Sequence, residues 1–360
     1  MAYGTVNADV IQTSTSGGIL GAGNASIMKN RIINGAMIVS QRNGTSSVTL
    51  AAGADQYTID RYDVQNNTTS GAFTCQQVAT APAGFVKSMK ITVTATEASP
   101  TSTMKARIWQ AIEGLNCTDL AWGTTDAKTV TLSFWVQSSV TGTFGGALGN
   151  GSDNRAYPFT YTISSANTWE QKSITIAGDT TGTWATDNTT GILLNISLLA
   201  GTSRSGTAGS WNSNWNTSAT GATNLLATNG ATFYITGVQL EVGSSATGFE
   251  YVNYQTSLAN CQRYYQKNTI SYGAANGTTT LAVCYQFPVY MRVAPTCSLL
   301  TSTPYAELAY LTGFTASGAT LNVHNFTGGT DFQVSGFTGM TQYRAPMFLD
   351  ANQIGLSAEL

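Results

Sequence analysis

Strict alternation of apolar and small polar residues constrains this chain more than any other feature. Over Lys128 to Gln137, Val130, Leu132, Phe134 and Val136 fall on one face and Thr129, Thr131 and Ser133 on the other, the period of a strand with one wet face. Lys87 to Thr96, Tyr157 to Ser164 and Trp169 to Ala177 repeat the pattern. Gly230 to Gly243 keeps it through a phase change: Phe233 and Ile235 sit on odd positions, Val238, Leu240 and Val242 on even ones, with Gly237 between. A bulge at Gly237 restores one continuous buried face. Such segments, separated by Gly, Ser, Thr and Asn and joined to almost no helical periodicity, predict an all-β chain. The expected architecture over residues 31–252 is an antiparallel jelly-roll sandwich. No repeat of fixed period speaks for a β-helix.

Changes in this pattern set the boundaries. Residues 1–30 are small and polar, with the run Thr13-Ser14-Thr15-Ser16-Gly17-Gly18, and can bury too little apolar area to fold alone. They read as an N-terminal attachment arm. Residues 253–268 break the alternation and read as a linker helix, capped by Thr256 or Ser257, with Leu258, Cys261 and Tyr265 at helical spacing. Strand patterns resume at Thr278 to Met291, Cys297 to Ser302, Thr320 to Phe326 and Asp331 to Phe337. They define a smaller C-terminal β-sandwich domain over residues 269–360.

Charge excludes several functions. Only 9% of the 360 residues are charged, against about 25% in an ordinary soluble domain, so the surface is built from uncharged polar groups. With 16 Lys and Arg against 18 Asp and Glu there is no basic footprint for nucleic acid and none for an anionic membrane. The apolar run Gly191 to Gly201 is broken by Asn195 and Ser197 and is too short to span a bilayer. Met1 to Ser14 has neither the basic nor the apolar region of a secretory signal, so synthesis and assembly in a cytoplasm are expected. The five cysteines form no CxxC pair, which leaves buried free thiols as the expectation.

The residues offer little to catalysis. His324, the single histidine, lies in a strand pattern with no nucleophile elbow around it, and one imidazole is a poor basis for a zinc site. Paired carboxylates for glycoside hydrolysis need only two acids, but no pair stands out, and the chain reads as no enzyme, with no cofactor and no metal. Asp60-Arg61-Tyr62-Asp63, the densest charged cluster, reads as a turn or local ion pair, with calcium as the sharper alternative. Gly142 to Gly151 opens no helix and carries no Lys-Ser/Thr, so it is turn or tightly packed strand rather than a phosphate loop. In Ser210 to Asn216, Trp211 and Trp215 stand among Asn212 and Asn214. Indole faces beside amides suit sugars, which stack on rings and bond to paired donors and acceptors. The same residues equally suit a loop whose tryptophans plug the end of the sandwich.

Several phrases together resemble a known family. Lys29-Asn30-Arg31-Ile32-Ile33-Asn34-Gly35, Gln41-Arg42 and Asp60-Arg61-Tyr62 are similar to the opening of tailed-bacteriophage fibre-like proteins. Ala227 to Gly243, Thr247-Gly248-Phe249-Glu250 and Cys261-Gln262-Arg263-Tyr264-Tyr265 resemble that family's most specific block, and Met291 to Thr296 and Ser357 to Leu360 complete it. One departure is Tyr62, where the family carries Trp. The resemblance implies a virion structural protein with a carbohydrate-binding-module-like jelly roll. It implies a homotrimer that joins a tail or baseplate protein and binds host surface polysaccharide as a tail fibre or receptor-binding protein. The family also has capsid-decorating members, whose partner is the major capsid protein, and a polysaccharide depolymerase is a third reading.

Overall fold

A computed structural model describes residues 10–12, 19–21, 28–308, 312–325, 327–342 and 347–360. Most of the expected attachment arm, and Phe326 at the end of one expected strand, lie outside them. Within the arm, β1 (Val10–Gln12) and β2 (Ile19–Gly21) pair antiparallel with each other.

The alternating segments fold into two six-stranded sheets. One has the order β11 (Ala156–Ile163), β10 (Gly142–Asn150), β13 (Thr190–Ala200), β8 (Lys105–Glu113), β5 (Tyr62–Asn67), β4 (Asp55–Ile59). The other runs β12 (Glu170–Ile176), β9 (Val130–Ser138), β16 (Thr232–Val242), β7 (Ser88–Ala95), β6 (Ala72–Val78), β3 (Val48–Leu50). All pairings in both are antiparallel. Val130, Leu132, Phe134 and Val136 are buried against Ile108, Leu148, Phe159 and Ile196 of the facing sheet, in one apolar core. The alternation thus becomes a sandwich, as expected. The phase change in β16 is also where the sequence puts it: the register with β9 shifts between Thr236 and Gln239, and Gly237 sits at φ +62. Gly142 to Asn150 is strand throughout.

Between β13 and β16 the chain crosses back over the outer face of the first sheet through β14 (Ser205–Gly206) and β15 (Ser218–Ala219), a short parallel pair. Gly145 lets it come close, since a Cβ there would meet Ser218 Oγ and the Ala219 nitrogen at under 3 Å.

Helix α1 (Tyr254–Gln262) is capped three or four residues before the expected Thr256 or Ser257. Its cap is Asn253, whose side-chain oxygen accepts from the Thr256 N–H at 2.9 Å; an amide in extended backbone ahead of the first turn outcompetes the later hydroxyls. The helix stops before Tyr265, which begins β17 (Tyr265–Lys267). The remaining strands form a three-stranded sheet, β17, β26 (Ile354–Ser357), β20 (Thr296–Leu299), and a seven-stranded one. The latter has the order β22 (Thr312–Thr315), β21 (Tyr305–Leu308), β25 (Met347–Leu349), β18 (Ser271–Ala275), β19 (Thr280–Gln286), β24 (Gly329–Ser335), β23 (Leu321–Asn325). Leu281, Val283, Phe332, Leu349 and Leu356 centre a second apolar core.

Charged groups join the two cores. Arg61 is 1% exposed, bonds Glu359 and the Ala111 carbonyl, and stacks 3.6 Å from the Tyr264 ring centroid. Glu359 also takes Arg42 at 3.1 Å. Glu113 accepts from Arg263 Nε at 2.9 Å and from the Tyr264 hydroxyl at 2.7 Å.

Candidate binding groove on the six-stranded sheet

Strand β8 builds the site by the same alternation that builds the core. Ala106 and Ile108 point into the sandwich, so Lys105, Arg107 and Trp109 point out of it. The neighbouring strands set partners beside them: Asp63 and Gln65 of β5 lie opposite Trp109 and Arg107, and Asn195 and Ser197 of β13 flank the same pair from the other side. Although they lie on the outer face, Lys105, Arg107, Asp63, Asn195 and Ser197 are each 5% exposed or less. The returning loop shields them, bringing Arg204 and Trp215 over Lys105, while Asp55 and Tyr57 of β4 stand on the opposite rim. The face is therefore a polar floor flanked by that loop and by β4, called the groove below, on which Tyr57, Gln65 and Trp109 stay half-buried.

Its floor is wired together. Arg107 donates from Nε to Gln65 at 3.0 Å and from Nη1 to Asn195 at 2.6 Å, and its guanidinium lies 5.0 Å from the Trp109 ring centroid. Trp109 Nε1 donates to Asp63 at 3.1 Å, and its ring tilts against Tyr57 at 6.4 Å. Burial holds the Asp63 carboxyl well above the usual carboxylate range, and the hydrogen bond to Asp55 and its charge push it further. At neutral pH Asp63 keeps its proton. Burial lowers Lys105 to about 8, helped by the charges of Arg107 and Arg204. Among the described residues no carboxylate lies within ion-pair distance of Lys105, Arg107 or Arg204. Perturbed groups gathered on one polar face mark a candidate for function.

The four residues expected to contact glycan divide between two places. Trp215 lies at the groove, but the Arg204 guanidinium and the Lys105 ammonium approach its ring centroid to 3.9 and 4.0 Å, which occupies the indole with cations. Trp211 is elsewhere. It meets Trp122, Trp184 and Tyr157 edge to face at 5.3 to 5.4 Å, packs against the core and donates from Nε1 to the Ala177 carbonyl at 2.8 Å. Asn212 exchanges backbone hydrogen bonds with Ala156, and its side chain accepts from the Asn214 N–H at 2.9 Å. Trp211 is thus half-buried and packed at the sandwich edge. Sequence reading missed Lys105, Arg107 and Trp109, although KARIWQ alternates large polar or aromatic residues with apolar ones; the signal was a strand whose outward positions carry two cations, which are costly to bury without partners.

Other expected sites resolve as structure. Asp60 accepts from the Gln41 backbone at 2.7 Å and from its side chain, Arg61 goes to Glu359, and Asp63 to the groove, so the four-residue cluster disperses. Among the described residues no three His, Cys, Asp or Glu side chains are grouped to hold a metal ion, and no helix is long and apolar enough to cross a membrane. His324 is exposed in β23, opposite Asp331. Cys75, Cys117 and Cys261 are buried free thiols, whereas Cys297 is half-buried and Cys284 exposed; β19 turns Cys284 away from the second core.

No family model matches the chain, and no curated protein does. Among solved structures, the enzymatically active domain of tailspike protein 4 of bacteriophage CBA120 is similar over 60% of this chain and 22% of its own, at 13% identity and a TM-score of 0.30. The family 11 carbohydrate-binding module of the Clostridium thermocellum cellulase Lic26A-Cel5E matches over 55% of this chain and 100% of its own, at 13% identity and 0.27. The tandem CBM22-1-CBM22-2 of Paenibacillus barcinonensis Xyn10C matches over 89% and 100%, at 9% and 0.27. At scores this low none of them bears on what this chain binds.

Proposed function

We propose that this chain is a polysaccharide-binding structural protein of a tailed-phage particle, a homotrimeric tail fibre or receptor-binding protein, and that the outer groove of the β8 sheet is its glycan site. The observation that carries the binding reading is this outer face: Trp109 and Tyr57 supply half-buried ring surface with Gln65 beside them, and the buried Arg107, Asn195 and Asp63 hold the rings in place from beneath. Lys105, Arg107 and Arg204, without ion-pair partners among the described residues, favour a polysaccharide that itself carries acidic groups. The phage assignment is supported by the resemblance of the sequence phrases above. Three copies on one fibre turn weak single grooves into useful avidity.

Affinity electrophoresis of the purified chain in gels of acidic and neutral host polysaccharide tests the site. Trp109→Ala and Arg107→Ala should each lower affinity for the acidic polymer at least tenfold, about 1.4 kcal/mol, while Trp211→Ala should still bind. Equal retardation of parent and Trp109→Ala would remove the groove from consideration. Gold-labelled antibody against residues 256–360 should mark the tail of particles, and label spread over the head would make the chain a capsid-decorating protein instead.

A further inference from the structure

The chain also holds a cleft of about 900 Å³, and pockets that take small organic ligands measure about 300 to 1,000 Å³. Its walls come from the segment that starts at Met28, the turn at Phe85, the chain after β16, helix α1 and the chain after β19. Two tyrosine rings on it are fixed and yet face solvent. Tyr251 is 63% exposed, donates its hydroxyl to the Gly84 carbonyl at 3.1 Å and packs against Phe85 and Phe249 at 5.6 and 5.0 Å. Tyr290 is 73% exposed and lies so close to Gly328 that a Cβ there would come within 2.8 Å of its ring. Rings held in place with their surface open are stacking platforms for a ligand that is flat and apolar on one side and polar at its edges.

The polar groups narrow the ligand further. The two cations in the lining are already taken, Arg31 by Asp119 at 2.7 Å and Arg263 by Glu113 at 2.5 Å, and Glu250 puts a carboxylate there whose Oε2 accepts the Asn30 N–H at 2.6 Å. An anion finds no free counter-ion in such a site, whereas a neutral ligand finds donors and acceptors. Arg31 is 9% exposed and its buried Nε has no partner, a donor that is costly to leave unmade. Asn116 and Asn260 line the same cleft with amide side chains that bond nothing else among the described residues. Between these groups the wall is apolar, with Ile33, Val86, Phe249 and Val252. A plain hexose would leave that wall wet, while an acetamido group brings a methyl to cover it together with a carbonyl and an N–H for the amides. We propose that this cleft binds a neutral glycan of N-acetylated sugars, with sugar rings on Tyr251 and Tyr290, acetamido methyls on the apolar wall, and acetamido carbonyls accepting from Arg31 Nε and the asparagine amides. The assignment does not rest on the groove or on its acidic ligand.

Isothermal titration calorimetry of the full chain with N,N′,N″-triacetylchitotriose and with cellotriose, which carries hydroxyls in place of the acetamido groups, tests it. The acetylated trisaccharide should bind at least tenfold more tightly than cellotriose. Tyr290→Ala and Asn260→Ala should each weaken it at least tenfold, and because both side chains are exposed each variant should keep the parent's cooperative melt. Equal affinity for the two trisaccharides would overturn the acetamido assignment. Binding undiminished in both variants would place the sugar elsewhere and overturn the site. No binding of either trisaccharide would overturn the glycan reading of the cleft altogether.

Discussion

Asp63 shows how one side chain records its surroundings. Its carboxyl is 5% exposed, lies beside the charge of Asp55 and takes the Trp109 N–H. Because burial and Asp55 raise its folded-state pKa, the native chain holds a proton that the unfolded chain gives up near pH 4. The stability this contributes is complete below that pH and falls as pH rises, until the folded carboxyl itself ionises. An amide cannot ionise yet still donates, so Asp63→Asn should leave melting nearly unchanged at pH 4 and raise the melting temperature by about 3 °C or more at pH 8. A thermal denaturation series from pH 4 to pH 8 checks this, and parallel curves for the two proteins would show that the pair is not buried as described. At this scale the sequence was only partly legible. The Trp and Asn content of Ser210 to Asn216 was visible, but whether an indole meets solvent or cations depends on residues about a hundred positions away, as Lys105 does to Trp215. Asp60, Arg61 and Asp63 are neighbours in sequence and go to three destinations, because adjacent residues at a strand entrance face opposite sides.

At the scale of elements the reading went further, because period two is a local property. Strands β7, β9, β11, β12 and β16 were predictable within a residue or two, since each carries apolar residues on one face and Thr or Ser on the other. Strands β8 and β13 were not, because both of their faces are buried, one in the core and one under the returning loop: β13 then reads as a near-continuous apolar run, and the outward positions of β8 carry Lys, Arg and Trp in place of the Thr and Ser that mark a wet face. The bulge in β16 was legible as a phase change and has a strict chemical requirement. Gly237 sits at φ +62, and a Cβ there would lie 2.6 Å from the Phe85 ring. Gly237→Ala therefore combines a left-handed backbone with a clash, at a cost of about 1 to 3 kcal/mol. Chemical denaturation should show the midpoint falling with the slope unchanged. A midpoint equal to the parent's would mean that the strand re-registers without the bulge.

Over the whole molecule, the phrases that resemble phage fibre proteins turn out to join parts rather than to face a ligand. Asn30 bonds the Val238 carbonyl and the Leu240 N–H, Gln41 bonds Asp60 and the Tyr265 carbonyl, and Arg61, Tyr264 and Glu359 meet between the two cores. Arg292 adds bonds to the Ala358 and Glu359 carbonyls at 2.8 and 2.7 Å and to the Asn188 carbonyl at 2.9 Å. Arg61 carries its charge at 1% exposure on a backbone at φ +72, and Glu359 is its only ion-pair partner among the described residues. A buried pair contributes little net attraction once desolvation is subtracted, but removing one member leaves an uncompensated charge, at about 3 to 5 kcal/mol. Glu359→Ala should therefore destabilise far more than a surface substitution, and Arg61→Met in the same chain should recover much of the loss by withdrawing the stranded cation. Because the pair bridges the two cores, calorimetry should record one transition for the parent and two for Glu359→Ala, the C-terminal strands melting first. A single transition in the variant, shifted by less than a surface substitution shifts it, would show that the cores are coupled by α1 and Glu113 rather than by Arg61.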